Sequence, residues 1–175
     1  GMFHDIRSQL AEELCLTAEA LNELSQADQV LLKEIQDTES VCVHIRRGDY
    51  LNAPTLQVCN YGYYCEAMDL VRAKHPSARF FLFSDDAQWV KNHYEFSDNV
   101  KMVEGKRPAS VEWYMMSRSK HFILSNSTFS WWAQYLSPHP AKTVVAPYPW
   151  FTDGREVELY LEDFSVLKPT GGMDR

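Results

Sequence analysis

Between residues 40 and 147, short apolar runs alternate with stretches of helical period. Val41-Cys42-Val43-His44-Ile45 is rich in β-branched residues and predicts a buried strand. Runs at 79–84 (RFFLFS), 121–125 (HFILS) and 143–146 (TVVA) predict three more, with a weaker strand near 100–103. Helical patterns fall between them at 61–74, 86–94, 108–119 and 128–136. In the first, Tyr64, Ala67, Met68 and Val71 mark one face and Pro76 ends the pattern. Pro108 suits the first turn of the third. Such alternation predicts an α/β domain: a Rossmann-like parallel sheet with helices on both faces and right-handed connections.

Residues 5–36 read as helical throughout, with Ile6, Leu10 and Leu14 recurring every four positions. Thr17 and Ser25 are candidate N-caps for two following segments, which would turn Leu21/Leu24 and Leu31/Ile35 inward. The expected organisation is a helical segment over 2–37, a Rossmann-like domain over 38–168 and a frayed tail over 169–175. Gly1 before Met2 reads as a tag residue and is left out of the fold argument.

Composition narrows the function classes. The chain's 175 residues suffice for one buried core, and 45% hydrophobic with 23% charged residues is a soluble globular balance. A net charge of −7 argues against a nucleic-acid partner, which needs a basic surface, so any anion site must be a local positive spot. Cys15, Cys42, Cys59 and Cys65 form no CxxC pair and no metal spacing. No apolar run approaches the roughly 20 residues of a membrane helix and no signal peptide is visible. A cytoplasmic location is expected, with peripheral membrane association left open.

Three predicted strand ends carry chemistry, and parallel topology brings them to one rim, where open α/β sheets bind ligands. The first is His44-Ile45-Arg46-Arg47-Gly48-Asp49. Strand alternation puts Arg46 on the face of His44 and Arg47 on the other. Arginine grips phosphate or carboxylate oxygens with two parallel bonds, so Arg46 is the expected anion contact and Arg47 the brace of the turn. An adhesive reading of the Arg47-Gly48-Asp49 tripeptide fails because it follows a buried strand. The second is Ser84-Asp85-Asp86, which suits a helix N-cap, a divalent metal, or guanine, whose N1–H and amino group offer two donors to one carboxylate. The third is Ser125-Asn126-Ser127-Thr128-Phe129. There the backbone N–H groups of a helix start, with the Ser127 and Thr128 hydroxyls, can hold phosphate, and Phe129 can stack on a base. Phe129, Trp132, Ala133 and Leu136 form the expected core stripe of that helix. The three together describe a nucleotide-diphosphate pocket without a GxGxxG or GxxxxGK[ST] motif.

HIRRGDY (44–50), FFLFSDD (80–86), SKHFILSNSTFSWWAQYL (119–136) and VVAPYPWF (144–151) resemble glycosyltransferase family 11, the α-1,2-fucosyltransferases, in the family's order. The resemblance implies one lobe of a GT-B-like inverting enzyme that uses GDP-fucose as donor and an oligosaccharide acceptor, with no obligatory metal or other cofactor. It implies that Arg46 contacts the diphosphate beside His44, that Asp85 or Asp86 binds guanine or ribose, and that Ser127, Thr128 and Phe129 hold phosphate and base. It leaves Asp49 and His44 as candidates for the base acting on the acceptor hydroxyl. The family's glycine-rich GNQ-type segment and N-terminal lobe are absent, and Ser119 stands where the family usually has cysteine. The donor-binding half of a longer enzyme is therefore expected. Two other classes compete: a non-catalytic nucleotide or nucleotide-sugar binding module, and a metal-dependent phosphohydrolase using Asp85 and Asp86.

Overall fold

The structure is a computed structural model describing residues 6–174; residues 1–5, where the expected helical segment begins, and Arg175 lie outside the described residues. Three helices, α1 (Arg7–Glu13), α2 (Ala18–Asn22) and α3 (Gln26–Asp37), precede the sheet. Thr17 caps α2 by accepting from Ala20 N, and Ser25 caps α3 by accepting from Asp28 N. Leu31 and Ile35 are buried, whereas Ile6 and Leu14 remain exposed.

Strands β1 (Ser40–Ile45), β2 (Arg79–Ser84), β3 (Val100–Met102), β4 (His121–Ile123), β5 (Val144–Pro147) and β6 (Phe164–Leu167) form one sheet in the order β3-β2-β1-β4-β5-β6. Every pairing is parallel. Helices α4 (Tyr61–Lys74), α5 (Ala87–His93), α6 (Ala109–Ser117) and α7 (Thr128–Tyr135) connect the strands. The Rossmann-like α/β architecture is thus present, with one strand beyond those expected from sequence. β6 is a short edge strand whose Val166 is half exposed, so its run carries little of the apolar signal of a buried strand.

Strand alternation divides the core into two layers. Cys42, Phe81, Phe83, Phe122 and Val144 pack with α3, α6 and α7 on one face. Val41, Val43, Phe80, Leu82 and Val145 pack with α4 and α5 on the other. In α7 the buried tryptophan is Trp131; of the expected stripe, Ala133 and Leu136 are buried in the core, and the partly buried Phe129 and Trp132 pack against it.

Residues of the tail expected to fray make hydrogen bonds to the domain. Asn60 Nδ2 donates to Thr170 O at 2.7 Å, and Met173 N donates to Gln57 O at 3.3 Å. Asp174 Oδ2 accepts from Tyr61 N and from Tyr94 Oη, both at 2.7 Å, while Arg47 Nη1 donates to Asp174 O. Three of these bonds engage tail backbone and two the Asp174 side chain, partners that the sequence alone does not reveal.

Candidate functional site

The sheet order reverses between β1 and β4, and at such a switch point adjacent connections leave to opposite faces and open a crevice. A cavity of about 490 Å³ lies there, lined by His44, Arg46, Asp49, Tyr50, Ser84, Asp85, Arg107, Glu112, Ser127, Thr128 and Phe129 among others. It gathers seven of the nine residues singled out from sequence; Arg47 and Asp86 are not among its lining residues. A larger neighbouring groove of about 660 Å³ is lined by Ile6, Leu10, Leu14, Trp113 and Trp132, with the Ser110 and Thr128 hydroxyls and the indole N–H groups as its side-chain polar groups and no charged residue. It offers no cation to hold an anion, so the smaller, charged cavity is the candidate site.

The two arginines part as alternation demands. Arg47 is buried on the α5 side with its guanidinium carbon 3.2 Å from the Trp89 ring centroid and its Nε 3.4 Å from Asp86. Arg46 points into the cavity, its Nε donating to Asp49 at 2.9 Å and lying 3.4 Å from Asp85. Its two Nη groups have no hydrogen bond among the described residues. They form the free positive end of the site.

Asp85 is already committed. Its Oδ1 accepts Arg47 N and its Oδ2 accepts Gly48 N, each at 2.9 Å, and it faces the Arg46 guanidinium. Gly48 is required by this approach, because a Cβ there would sit 2.7 Å from Asp85 Oδ2. Asp86 caps α5 by accepting from Trp89 N at 3.4 Å. Of the two acids expected from sequence to read guanine or ribose, Asp85 lines the cavity, held by two backbone N–H groups and facing Arg46, while Asp86 caps α5 and is not among the lining residues. Sequence reasoning missed Glu112, whose carboxylate also lines the cavity. It accepts no hydrogen bond among the described residues, and its nearest cation is Arg107 Nη1 at 3.9 Å. Burial holds its pKa above the ordinary carboxylate range, and the Arg107 charge opposes that. The signal was a lone charge in the apolar helical run VEWYMM.

At the far wall, Ser127 caps α7 by accepting from Phe129 N at 3.3 Å, and Thr128 stands exposed at the helix start. Asn126 holds this turn: its Nδ2 donates to Leu56 O and Trp150 O, both at 3.0 Å, and its carbonyl accepts Tyr50 Oη at 3.0 Å. His44 is buried with Nδ1 2.9 Å from Ser125 Oγ, and desolvation, helped by the Arg46 charge, lowers its pKa to about 3. Its ring is therefore neutral at pH 7 and too weak a base to take a proton from a hydroxyl. Asp49 is pulled below its ordinary pKa by its bond to Arg46, so the same argument weakens it.

Among the described residues, the one grouping of three potential metal ligands is Glu39, His75 and His121, at the opposite edge of the sheet. Thr143 N donates to His121 Nδ1 at 3.0 Å, which puts the ring proton on Nε2, directed at Glu39 Oε1 2.8 Å away. A metal at Nε2 would have to displace that proton while Nδ1 stays unprotonated, so the triad works as a clamp rather than a metal centre. Asp85 and Asp86 belong to no such grouping.

The sequence model of glycosyl transferase family 11 matches residues 1–166. The chain belongs to glycosyltransferase family 11. A family relative, the α-1,2-colitosyltransferase of Escherichia coli, is 38% identical over 131 residues, covering 68% of this chain and 45% of that protein. Galactoside α-(1,2)-fucosyltransferase 1 of Saimiri boliviensis boliviensis is 30% identical over 149 residues, covering 77% of this chain and 40% of the relative. A crystal structure of NodZ α-1,6-fucosyltransferase soaked with GDP-fucose aligns at 22% identity and a TM-score of 0.48, over 70% of this chain and 43% of that one. The chain thus spans less than half the length of the family relatives it matches. No helix among its described residues is long and apolar enough to cross a membrane.

Proposed function

We propose that the chain is the donor-binding portion of an inverting α-1,2-fucosyltransferase that takes GDP-fucose and transfers fucose to a galactoside-type acceptor. The observation that carries this reading is the free Nη end of Arg46 in the switch-point cavity whose other wall is the N-terminus of α7. A fixed guanidinium and a set of helix-start N–H groups are the two parts a diphosphate leaving group needs. The acceptor hydroxyl attacks the anomeric carbon as the bond from that carbon to the β-phosphate oxygen breaks; the electron pair departs with the diphosphate, and the hydroxyl proton is released to water. Groups preorganised where that charge builds are worth about 10²–10³ in rate each, so no metal is called for. Asp49 and Asp85 hold Arg46 in place, and neutral His44 packs at 5.9 Å from Phe129 beneath the nucleotide.

Glu112 takes the role first given to the aspartates. Its carboxylate, which accepts no hydrogen bond among the described residues, accepts the adjacent N1–H and amino donors of guanine, and the net repulsion of a carboxylate for phosphate keeps it to the nucleoside end. The names of the relatives support the α-1,2 linkage. The colitosyltransferase relative keeps a related deoxysugar as a second reading for the donor, which a panel of GDP-sugars decides.

Calorimetric titration with GDP tests the assignment. Arg46→Ala is expected to abolish binding while the thermal melt stays nearly unchanged, and Glu112→Gln to erase the preference for GDP over inosine diphosphate, which lacks the amino donor. Unchanged GDP affinity in Arg46→Ala would remove the basis of the reading.

A further inference from the structure

The loop before α6 places Arg107 between the helical N-terminal segment and the cavity. Gly105 turns that loop at φ +100°, and the Arg107 side chain is only 5% exposed. Its Nε and Nη2 both reach Asp28 Oδ1, at 3.1 and 3.0 Å, and Nη2 donates to Glu104 O at 2.7 Å. Asp28 is itself fixed in the first turn of α3, where Ser25 Oγ donates to its Oδ2 at 2.9 Å. That leaves Nη1 as the part of the guanidinium turned to Glu112, 3.9 Å away. The line Ser25–Asp28–Arg107–Glu112 therefore runs from the cap of α3 to a cavity carboxylate that accepts no hydrogen bond among the described residues.

We infer that Arg107 is a positioning residue through which Asp28 of α3 sets the charge of Glu112 and hence recognition of the nucleoside. This rests on the reading of Glu112 above. Glu112 is a poorly solvated acid whose other charged neighbours are Asp85 across the cavity, which opposes ionisation, and Arg46 and Asp49 further along its wall. Cys42 lies beneath it as a neutral thiol and His44 as a neutral ring. Arg107 is the cation that keeps the acid ionised, and Asp28 tempers that cation. Removing either partner must then move Glu112 in opposite directions.

GDP affinity followed by calorimetry between pH 4.5 and 8 reads this directly, since the titration of GDP itself is common to all variants. The wild-type affinity falls on an acid limb as Glu112 is protonated. Arg107→Met is expected to shift that limb up by about one pH unit, the size of effect an opposite charge at this distance exerts. Asp28→Asn frees the guanidinium charge and shifts the limb down, and Arg107→Lys stays near wild type. A purely structural role would weaken binding in both variants with no change in the midpoint. One midpoint shared by wild type, Arg107→Met and Asp28→Asn overturns the inference. Should Arg107→Met fail to fold by circular dichroism, the downward shift in Asp28→Asn decides alone. Glu112→Gln separates the two levels: if it keeps the wild-type affinity and acid limb, the nucleoside reading fails; if it loses them while the shifts are missing, only the role of Arg107 fails.

Discussion

Replacing Gly48 with alanine tests how the Arg-Arg-Gly-Asp turn is built. The new Cβ would lie 2.7 Å from Asp85 Oδ2, inside any contact distance, and no left-handed backbone is involved because φ at Gly48 is −37°. An aspartate tip normally swings aside at little cost. Here it is tied at both oxygens, to Arg47 N and Gly48 N at 2.9 Å, so moving it breaks one or both bonds. Hydrogen bonds to a charged group contribute about 1.5–3 kcal/mol each, which puts the stability loss at about 2–4 kcal/mol. Arg46 loses the Asp85 side of its support at the same time and keeps only Asp49, an exposed partner. GDP affinity should therefore fall by about tenfold or more, each 1.4 kcal/mol of lost preorganisation being a factor of ten. Denaturant unfolding and calorimetry on Gly48→Ala measure both. A variant with wild-type stability and affinity would show that Asp85 is not the strut this geometry describes.

Arg47→Met should behave in the opposite way to Arg46→Ala. It removes a buried cation from Trp89, Asp86 and Asp174, which costs about 3–5 kcal/mol of stability, while GDP affinity changes less than threefold. A tenfold affinity loss without destabilisation would return Arg47 to the ligand. Acid stability should track His44, whose folded pKa of about 3 lies far below its unfolded value. The unfolded chain takes up a proton below about pH 6.5 and the folded one does not until about pH 3, so stability is full above that window and falls as pH drops through it. Neutral His44→Gln should flatten unfolding free energy against pH by about 1.4 kcal/mol per unit between pH 6 and 4. An unchanged slope would assign the effect elsewhere, with His121, also lowered by burial, the next histidine to examine.

The sheet and the rim were legible because buried parallel strands must be apolar along their whole length, which makes their ends conspicuous. Val41 to Ile45 are all buried, and the polar residues that follow could only lie at the edge. Alternation also separated Arg46 from Arg47. What stayed hidden depends on partners distant in sequence. Nothing near Asp85 announces that it receives the N–H groups of residues 37 and 38 positions earlier. Nothing in Gly171 to Asp174 announces Tyr61 and Tyr94 as partners. β6 was missed because an edge strand needs little apolar surface, and Glu112 because one acid in a helix reads as a solvated face.

Asp85 and Glu112 line the same cavity, yet their surroundings give them different work. Asp85 stands where two backbone N–H groups and a guanidinium converge, so much of its charge is balanced by the fold. Glu112 stands over the apolar layer of Cys42 and Met115, with a single cation at 3.9 Å that another acid already shares. A carboxylate so poorly matched is costly to keep ionised in an unliganded protein. It is matched when a ligand brings two donors to it. In a chain of net charge −7 this division matters twice over. The acids around Arg46 must be satisfied internally or they would repel a diphosphate, and the acid left unsatisfied must lie where the ligand presents donors instead of phosphate. The proposed arrangement, with Asp85 bound to the turn and Glu112 at the nucleoside end, meets both demands.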